Sequence, residues 1–523
     1  MKQLSGLDAA FLHLELPEMP MHIGALHLFD LPPGYCGDFH EDVKAHVAGR
    51  IHLADLFTKK LAHLPLDFAN PVWVEDGEVD LDYHVQRVML PRPGTMAQLE
   101  AVAARLHSHL LDRSRPLWEF HVIEGLKSGQ VALYIKVHHA AIDGVGAESV
   151  SRAVLDTSPL PRAAATLPER TKAADQPGVS AMIANVLRHT ATQYWKIVKY
   201  LPTTAKAVGS LMLPSAGKNG KGGKRGGLAN RLKPGPRTPL NTTITNQRVF
   251  ATVRIPLVEA KAVGNAFGGS LNDAVLAVCS GALRRYLDAR GALPAEPLKV
   301  VMPVNLRAQG NTEQNNQFSM ALASLPTDQA GAKERMLEIV ASSSSLKSTL
   351  SRVKSALPTD LPSLGVPWLM SAFASLYSRT RLADRVPPLA NVLISNVPGV
   401  QTPLYMAGAR MASYYPLSIP LHGIALNITV MSYNGALEFG LIACRRAMPD
   451  VRELAKFMSE AHLELMALLQ AEQRKAPRRK AARRTVKAHA AAEEPARASV
   501  TPLPLKTPVK TARRARRAAA DAA

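Results

Sequence analysis

The residues best suited to chemistry lie in one short run, His138-His139-Ala140-Ala141-Ile142-Asp143-Gly144. An imidazole titrates near neutrality, so it can take a proton from a hydroxyl and return it within one turnover. The Asp143 carboxylate can fix a tautomer or hold a turn through backbone hydrogen bonds, and Gly144 lets the chain turn without a Cβ clash. Three chemistries could use this set. A metal site needs both imidazoles on one ion, yet adjacent residues of an extended segment point to opposite faces, and no second His/Cys cluster is evident. A serine nucleophile activated by His is expected on a Gly-x-Ser-x-Gly elbow, which the sequence lacks. Direct acyl transfer, with one His as general base on a hydroxyl that attacks a thioester, needs neither metal nor enzyme nucleophile. A positioned base supplies about 100- to 10,000-fold, so proximity and oxyanion stabilisation must supply the rest.

The elements around the run show how it is held. Val131, Leu133, Ile135 and Val137 alternate with Ala132, Tyr134 and Lys136, the period of a strand with one buried face. Beyond Gly144 and Gly146, the residues Ala147, Val150, Ala153 and Val154 recur at helical spacing. The imidazoles therefore fall in a strand-to-helix turn. A turn around Lys127-Ser128-Gly129 joins this strand to Phe120–Glu124, so a hairpin delivers the site. Thr95 and Gln98 form a capping pair ahead of a helix with Leu99, Val102, Leu106 and Leu110 on one face. In the second half, Ser270 caps a helix carrying Asn272, Val275, Leu276, Leu283 and Leu287. Asn434-Gly435 joins two strand patterns as a hairpin, and Asp450 with Glu453 opens a last helix. The fold class is α/β.

With 523 residues, the chain is too long for one typical core. The expected divisions are 1–156, carrying the His-His run; 157–240, a helical and basic Gly-rich linker; 241–470, a second α/β half; and 471–523, a disordered Lys/Arg/Ala-rich tail. The net charge is +21, and about half of it lies after Ala471. That tail has almost no large apolar residues to offset its ordering entropy. Its acidic partner could be an anionic membrane or lipid-droplet surface, or nucleic acid. Residues 182–212 carry Trp195 and a basic amphipathic pattern that suits either packing on a domain or a lipid interface. Cys36, Cys279 and Cys444 are odd in number and far apart, which fits a reducing compartment. Asp8 and Glu15 interrupt any signal-like run, and no stretch reaches the roughly 18 to 20 apolar residues of a spanning helix. The expected place is cytoplasmic, peripheral on the inner membrane or on lipid inclusions.

The His138–Gly144 run matches the HHxxxDG motif of the CoA-dependent acyltransferase superfamily. Leu7-Asp8-Ala9-Ala10-Phe11-Leu12, Pro20-Met21-His22-Ile23-Gly24, Pro116-Leu117-Trp118, Asn272-Asp273-Ala274-Val275-Leu276-Ala277, Met302-Pro303-Val304-Asn305-Leu306-Arg307, Asn316-Gln317-Phe318-Ser319 and Ser395-Asn396-Val397-Pro398-Gly399 follow in one order. Together they resemble the bacterial wax ester synthase/diacylglycerol acyltransferase family over about residues 4–470; the basic tail departs from it. The resemblance implies two chloramphenicol-acetyltransferase-like domains with the active site between them. Acyl-CoA would be a co-substrate rather than a cofactor, and diacylglycerol or a long-chain alcohol the acceptor. It implies His139 as general base, His138 as its support and Asp143 as mainly architectural. Asn272 becomes a candidate oxyanion donor, although helix capping would equally suit its type and place. Gly144, Trp118 and Asn396 are assigned to the substrate-binding surface, Trp118 with a structural part as well. A condensation-type or polyketide-associated enzyme with a carrier-bound donor stays open, as does a non-enzymatic lipid-body or nucleic-acid protein acting through the tail. Glycerophosphate acyltransferases share the His-to-Asp spacing but have other blocks and membrane segments that this sequence lacks.

Overall fold

The computed structural model describes residues 2–4, 6–62, 70–142, 146–160, 162, 233–305, 318–354 and 367–492. The expected amphipathic stretch 182–212 and most of the Gly-rich run lie outside them. Two compact units are present, Met1–Leu469 and Gln470–Ala523.

In chain order the first part of the larger unit runs β1 (Lys2–Gln3), α1 (Gly6–Leu14), β2 (His22–Asp30), α2 (Phe39–Ala48), α3 (Asp55–Thr58), β3 (Lys59–Ala62), β4 (Val72–Glu75), α4 (Leu81–His84), β5 (Val85–Met89), α5 (Met96–His107), β6 (Trp118–Glu124), β7 (Val131–His138) and α6 (Gly146–Val154). The second part runs β8 (Arg248–Pro256), α7 (Leu257–Ala266), α8 (Leu271–Asp288), β9 (Leu298–Asn305), β10 (Phe318–Leu325), α9 (Ala332–Lys354), α10 (Pro367–Arg379), β11 (Val392–Val397), β12 (Tyr405–Met406), β13 (Ala409–Leu417), β14 (Leu426–Tyr433), β15 (Ala436–Cys444) and α11 (Val451–Ala492).

Two six-stranded sheets carry the α/β fold, ordered β12-β13-β2-β7-β6-β5 and β10-β9-β11-β14-β15-β8. The expected hairpin is present: β6 and β7 are antiparallel with Trp118 opposite Val137. At the far end of β7, His138 lies opposite His22. The predicted caps are also present. Thr95 and Gln98 close a reciprocal box at α5, and Ser270 and Asp273 do the same at α8. Asn434 and Gly435 have φ of 41° and 82°, the paired positive values of a type I′ hairpin turn between β14 and β15.

The two halves do not separate at the expected boundary. β12 and β13 belong to the second half of the sequence, yet β13 pairs along β2 from Leu417 opposite Gly24 to Arg410 opposite Asp30. An unpaired β2 edge would leave a row of backbone donors and acceptors unsatisfied, and the borrowed strand fills it. The lobes are also welded by side chains. Leu26, Leu99 and Tyr134 share one buried cluster with Phe250, Tyr415 and Ile442. At Gly440 the sheets meet backbone to backbone, where a Cβ would stand 1.7 Å from Pro416 O.

The last helix runs into the first part of the Lys/Arg/Ala-rich stretch. It continues to Ala492, because Ala, Arg, Lys, Gln and Glu favour helix without needing a core; residues 493–523 lie outside the described part. Among the described residues no single helix is long and apolar enough to cross a membrane.

Candidate active site

β7 ends at His138, and a single 3-10 turn, His139–Ala141, follows. The His138 ring is fully buried. Its Nδ1 accepts the Ala140 N–H at 3.1 Å, which places the proton on Nε2 and lets Nε2 donate to Glu15 Oε2 at 3.2 Å. His138 therefore closes the turn in the manner of a helix cap. Its backbone N–H donates to Leu117 O at 3.0 Å.

His139 is the more accessible of the two, half-buried where its neighbour is sealed. Its backbone N–H donates to Met21 O at 2.9 Å. Its ring stacks on Phe11 of α1, with centroids 3.9 Å apart and planes 13° from parallel. Burial pushes the imidazole down to about 4. The ring is therefore neutral at physiological pH and able to accept a proton.

Glu15 is the site residue that sequence reasoning missed. It follows α1 directly, and its side chain is 3% exposed. Oε1 receives Arg113 Nε at 3.1 Å and Arg113 Nη2 at 2.7 Å; Oε2 receives the Met21 N–H at 2.9 Å and His138. Burial alone would raise its pKa. The hydrogen bond from His138, with the Arg113 guanidinium and the Met21 N–H, outweighs burial and holds the carboxyl at about 2. Its one sequence signal was a carboxylate just after the apolar opening block.

In the second lobe, Asn396 Nδ2 donates to Asn272 Oδ1 at 3.4 Å. Two residues chosen separately, 124 positions apart, are thus brought together. The cap of α8 is made by Ser270 and Asp273, which leaves Asn272 out of it. Asn272 accepts through its oxygen, so its amide NH2 is the group able to donate elsewhere. The register places further blocks at the same sheet end. β9 and β11 are parallel, Phe318 of β10 stands opposite Asn305 of β9, and Asn396 lies one residue before the end of β11.

Trp118 is not a substrate-facing residue. It is wholly buried, stacks on His84 with centroids 4.2 Å apart, meets Phe57 edge-on and donates Nε1–H to Phe57 O at 3.3 Å. A ring enclosed on all these sides anchors the core under the hairpin and does not line the expected substrate surface. Asp143 and Gly144 lie outside the described residues.

The two lobes meet next to the His139–Ala141 turn. α1, whose Phe11 covers His139, packs on α10 of the second half. Beyond α1, Ser378 of α10 donates to the Glu18 carboxylate, and Arg248 Nη2 donates to Glu18 O at 2.9 Å.

Comparison with known proteins agrees with this architecture. Residues 4–275 match the family described as the wax ester synthase/diacylglycerol acyltransferase catalytic domain, and residues 314–466 match the WS/DGAT C-terminal domain. A Mycobacterium tuberculosis protein named as a diacylglycerol O-acyltransferase is 37% identical over 462 residues, covering 88% of this chain and 99% of the relative. A second so named from that organism is 35% identical over 461 residues, covering 87% and 96%. The solved wax ester synthase/diacylglycerol acyltransferase from Marinobacter aquaeolei VT8 superposes with a TM-score of 0.63 at 32% identity, covering 90% of this chain and 100% of that one.

Proposed function

This chain belongs to the wax ester synthase/diacylglycerol acyltransferase family, and on that premise we propose that His139 is the base of its O-acyl transfer. The enzyme moves an acyl group from acyl-CoA to a hydroxyl of diacylglycerol or a long-chain alcohol, making triacylglycerol or wax ester. The observation that carries the assignment is a neutral, half-buried imidazole whose ring is fixed by Phe11 and whose backbone is fixed by Met21.

In this reading His139 takes the acceptor's hydroxyl proton as the oxygen attacks the thioester carbonyl. The carbon becomes tetrahedral, and its oxyanion accepts hydrogen bonds from the Asn272 amide and the N–H groups opening α8. Collapse restores the carbonyl and breaks the C–S bond, and the CoA sulfur leaves with the proton held by His139. The reading needs no cofactor, since acyl-CoA is consumed as a substrate.

His139→Ala is expected to keep its fold by circular dichroism while turnover of palmitoyl-CoA with dioleoylglycerol or hexadecanol falls about 100- to 10,000-fold. Unchanged turnover would overturn the base assignment. Running both acceptors in competition with thin-layer product detection reads the preference between them.

Both acceptors reside in lipid, and peripheral docking on an anionic lipid surface belongs to the same proposal. Its support is the exposed segment that ends α10. Leu376, Val386 and Leu389 are 61%, 45% and 68% exposed there, interleaved with exposed Arg379, Arg381 and Arg385. The one acid of the stretch, Asp384, is tied to Thr242 Oγ1 at 2.8 Å and to the Thr243 N–H at 2.6 Å. Basic residues near such a surface contribute about 1 kcal/mol each, and the tail beyond Ala471 adds more of them. Flotation with phosphatidylglycerol vesicles is expected to carry the protein at low salt. Replacing the three arginines by glutamine, or deleting the tail, should weaken flotation while transfer to dispersed acceptor survives. Preference for DNA over vesicles would reassign the tail to nucleic acid.

A further inference from the structure

We propose that Glu15 is a positioning residue for the catalytic base, setting the backbone of the turn that carries His139 through two hydrogen-bonded routes. The inference rests on the functional reading above and adds a residue to it.

One route runs through side chains. Glu15 Oε2 takes the His138 Nε2 proton, which forces Nδ1 to be the acceptor for the Ala140 N–H inside the catalytic turn. The other runs through the backbone. Glu15 Oε2 also takes the Met21 N–H, and the carbonyl of that same Met21 receives the His139 N–H. The catalytic turn is thus gripped at 139 and at 140 by contacts that converge on one carboxylate. Arg113 completes the arrangement. It holds Oε1 with two N–H groups and sends Nη2 to Leu12 O at 2.8 Å, fastening the end of the helix that presents Phe11 to the His139 ring.

The requirement is specific to a carboxylate. Four donors converge on the group: the Met21 N–H, His138 Nε2–H, and Nε–H and Nη2–H of Arg113. An ionised carboxylate accepts all four, being acceptor-only. A glutamine of the same shape offers one acceptor oxygen and turns an NH2 group toward two donors, so one side of the clamp must open. A base displaced by about 1 Å loses about 100-fold in rate, and this loss falls on kcat because the bound acyl-CoA does not touch Glu15 in this scheme.

The test uses the full-length protein with palmitoyl-CoA and dioleoylglycerol. Glu15→Gln is expected to lower kcat about 100-fold with KM for acyl-CoA little changed, and Glu15→Asp to recover part of the loss. His138→Gln cuts the first route at its other end. The double variant should be no slower than the worse single one, since both act through one chain of contacts. Glu15→Gln turnover near the wild-type rate, a loss confined to KM, or losses that multiply in the double variant would each overturn the proposal. If Glu15→Gln melts below the assay temperature, His138→Gln decides alone, and an unchanged kcat there overturns it. Wild-type turnover in the same assay reports on the functional reading separately. A wild-type enzyme that transfers no acyl group sinks that reading, whereas an active wild type matched by Glu15→Gln sinks only this inference.

Discussion

Phe11 and His139 stack face to face, 3.9 Å between centroids, although one belongs to the first helix and the other to the turn after β7. The contact covers one face of the imidazole with hydrocarbon, which removes water that would solvate the protonated ring. Burial is the leading reason the ring stays neutral down to about 4. With His139 as the proposed base, activity is therefore retained above that value and lost as pH falls through it. Phe11→Ala should admit water, raise the imidazole toward its ordinary 6.5 and move the acid limb of kcat/KM to higher pH. A pH–rate profile of the two proteins checks it; coincident acid limbs would refute the desolvating role.

The first lobe also buries neutral histidines away from the reaction. Burial pushes His27 and His107 down to about 3 from 6.5. Each is a group whose folded value is depressed, so the unfolded chain binds its proton first. The stability it contributes is complete above about pH 6.5 and is lost as pH falls toward 3. Glu15 adds a second loss over a lower window, between 4.5 and about 2. Melting temperature should hold near neutrality and begin to fall below about pH 6.5. Replacing His27 with leucine should flatten the upper part of that decline, and an unchanged slope would count against it.

The close approach at Gly440 can be tested directly. A methyl group there would overlap Pro416 O, so Gly440→Ala must push β13 away from β15. Overpacking of this kind costs about 1–3 kcal/mol, measurable as a lower urea midpoint. A midpoint equal to that of the wild type would show that the sheets can part without strain.

Glu100 of α5 reaches into the second half. It accepts the Thr252 N–H at 2.9 Å, Thr252 Oγ1–H at 2.8 Å and Arg452 Nε–H at 2.9 Å, and it is 5% exposed. Glu100→Leu would strand two polar groups of Thr252 and unpair Arg452, which is half exposed and so loses less. A loss of about 3 kcal/mol is expected, whereas Arg452→Leu should cost less than half of that. Denaturation of the two variants compares them, and equal losses would remove the distinction.

Local signals in the sequence are legible because their physics is local. The caps at Thr95 and Ser270 need only the next three residues, and the Asn434-Gly435 turn needs only backbone freedom. The His-His run identified its own turn for the same reason. Glu15 could not be found this way, because its partner His138 is 123 positions distant and the sheet alone brings them together. Trp118 misled in the other direction. A motif tryptophan beside the hairpin that carries the His-His run suggests substrate contact, but its position on β6 faces the interior. The pairing of Asn272 with Asn396 was likewise invisible, since two short motifs carry no record of which sheet end each occupies.

The strand that β13 lends to the first sheet governs how the polypeptide can mature. β2 emerges from the ribosome long before its neighbour at 409–417 has been made. A nascent chain released after 156 would expose an open sheet edge and lack Tyr415 and Leu417 from the shared cluster. His139, the proposed base, would already be synthesised but not yet held in a finished scaffold. Acyl transfer should therefore switch on late and all at once, and cutting the gene into halves should yield activity only when both are co-expressed.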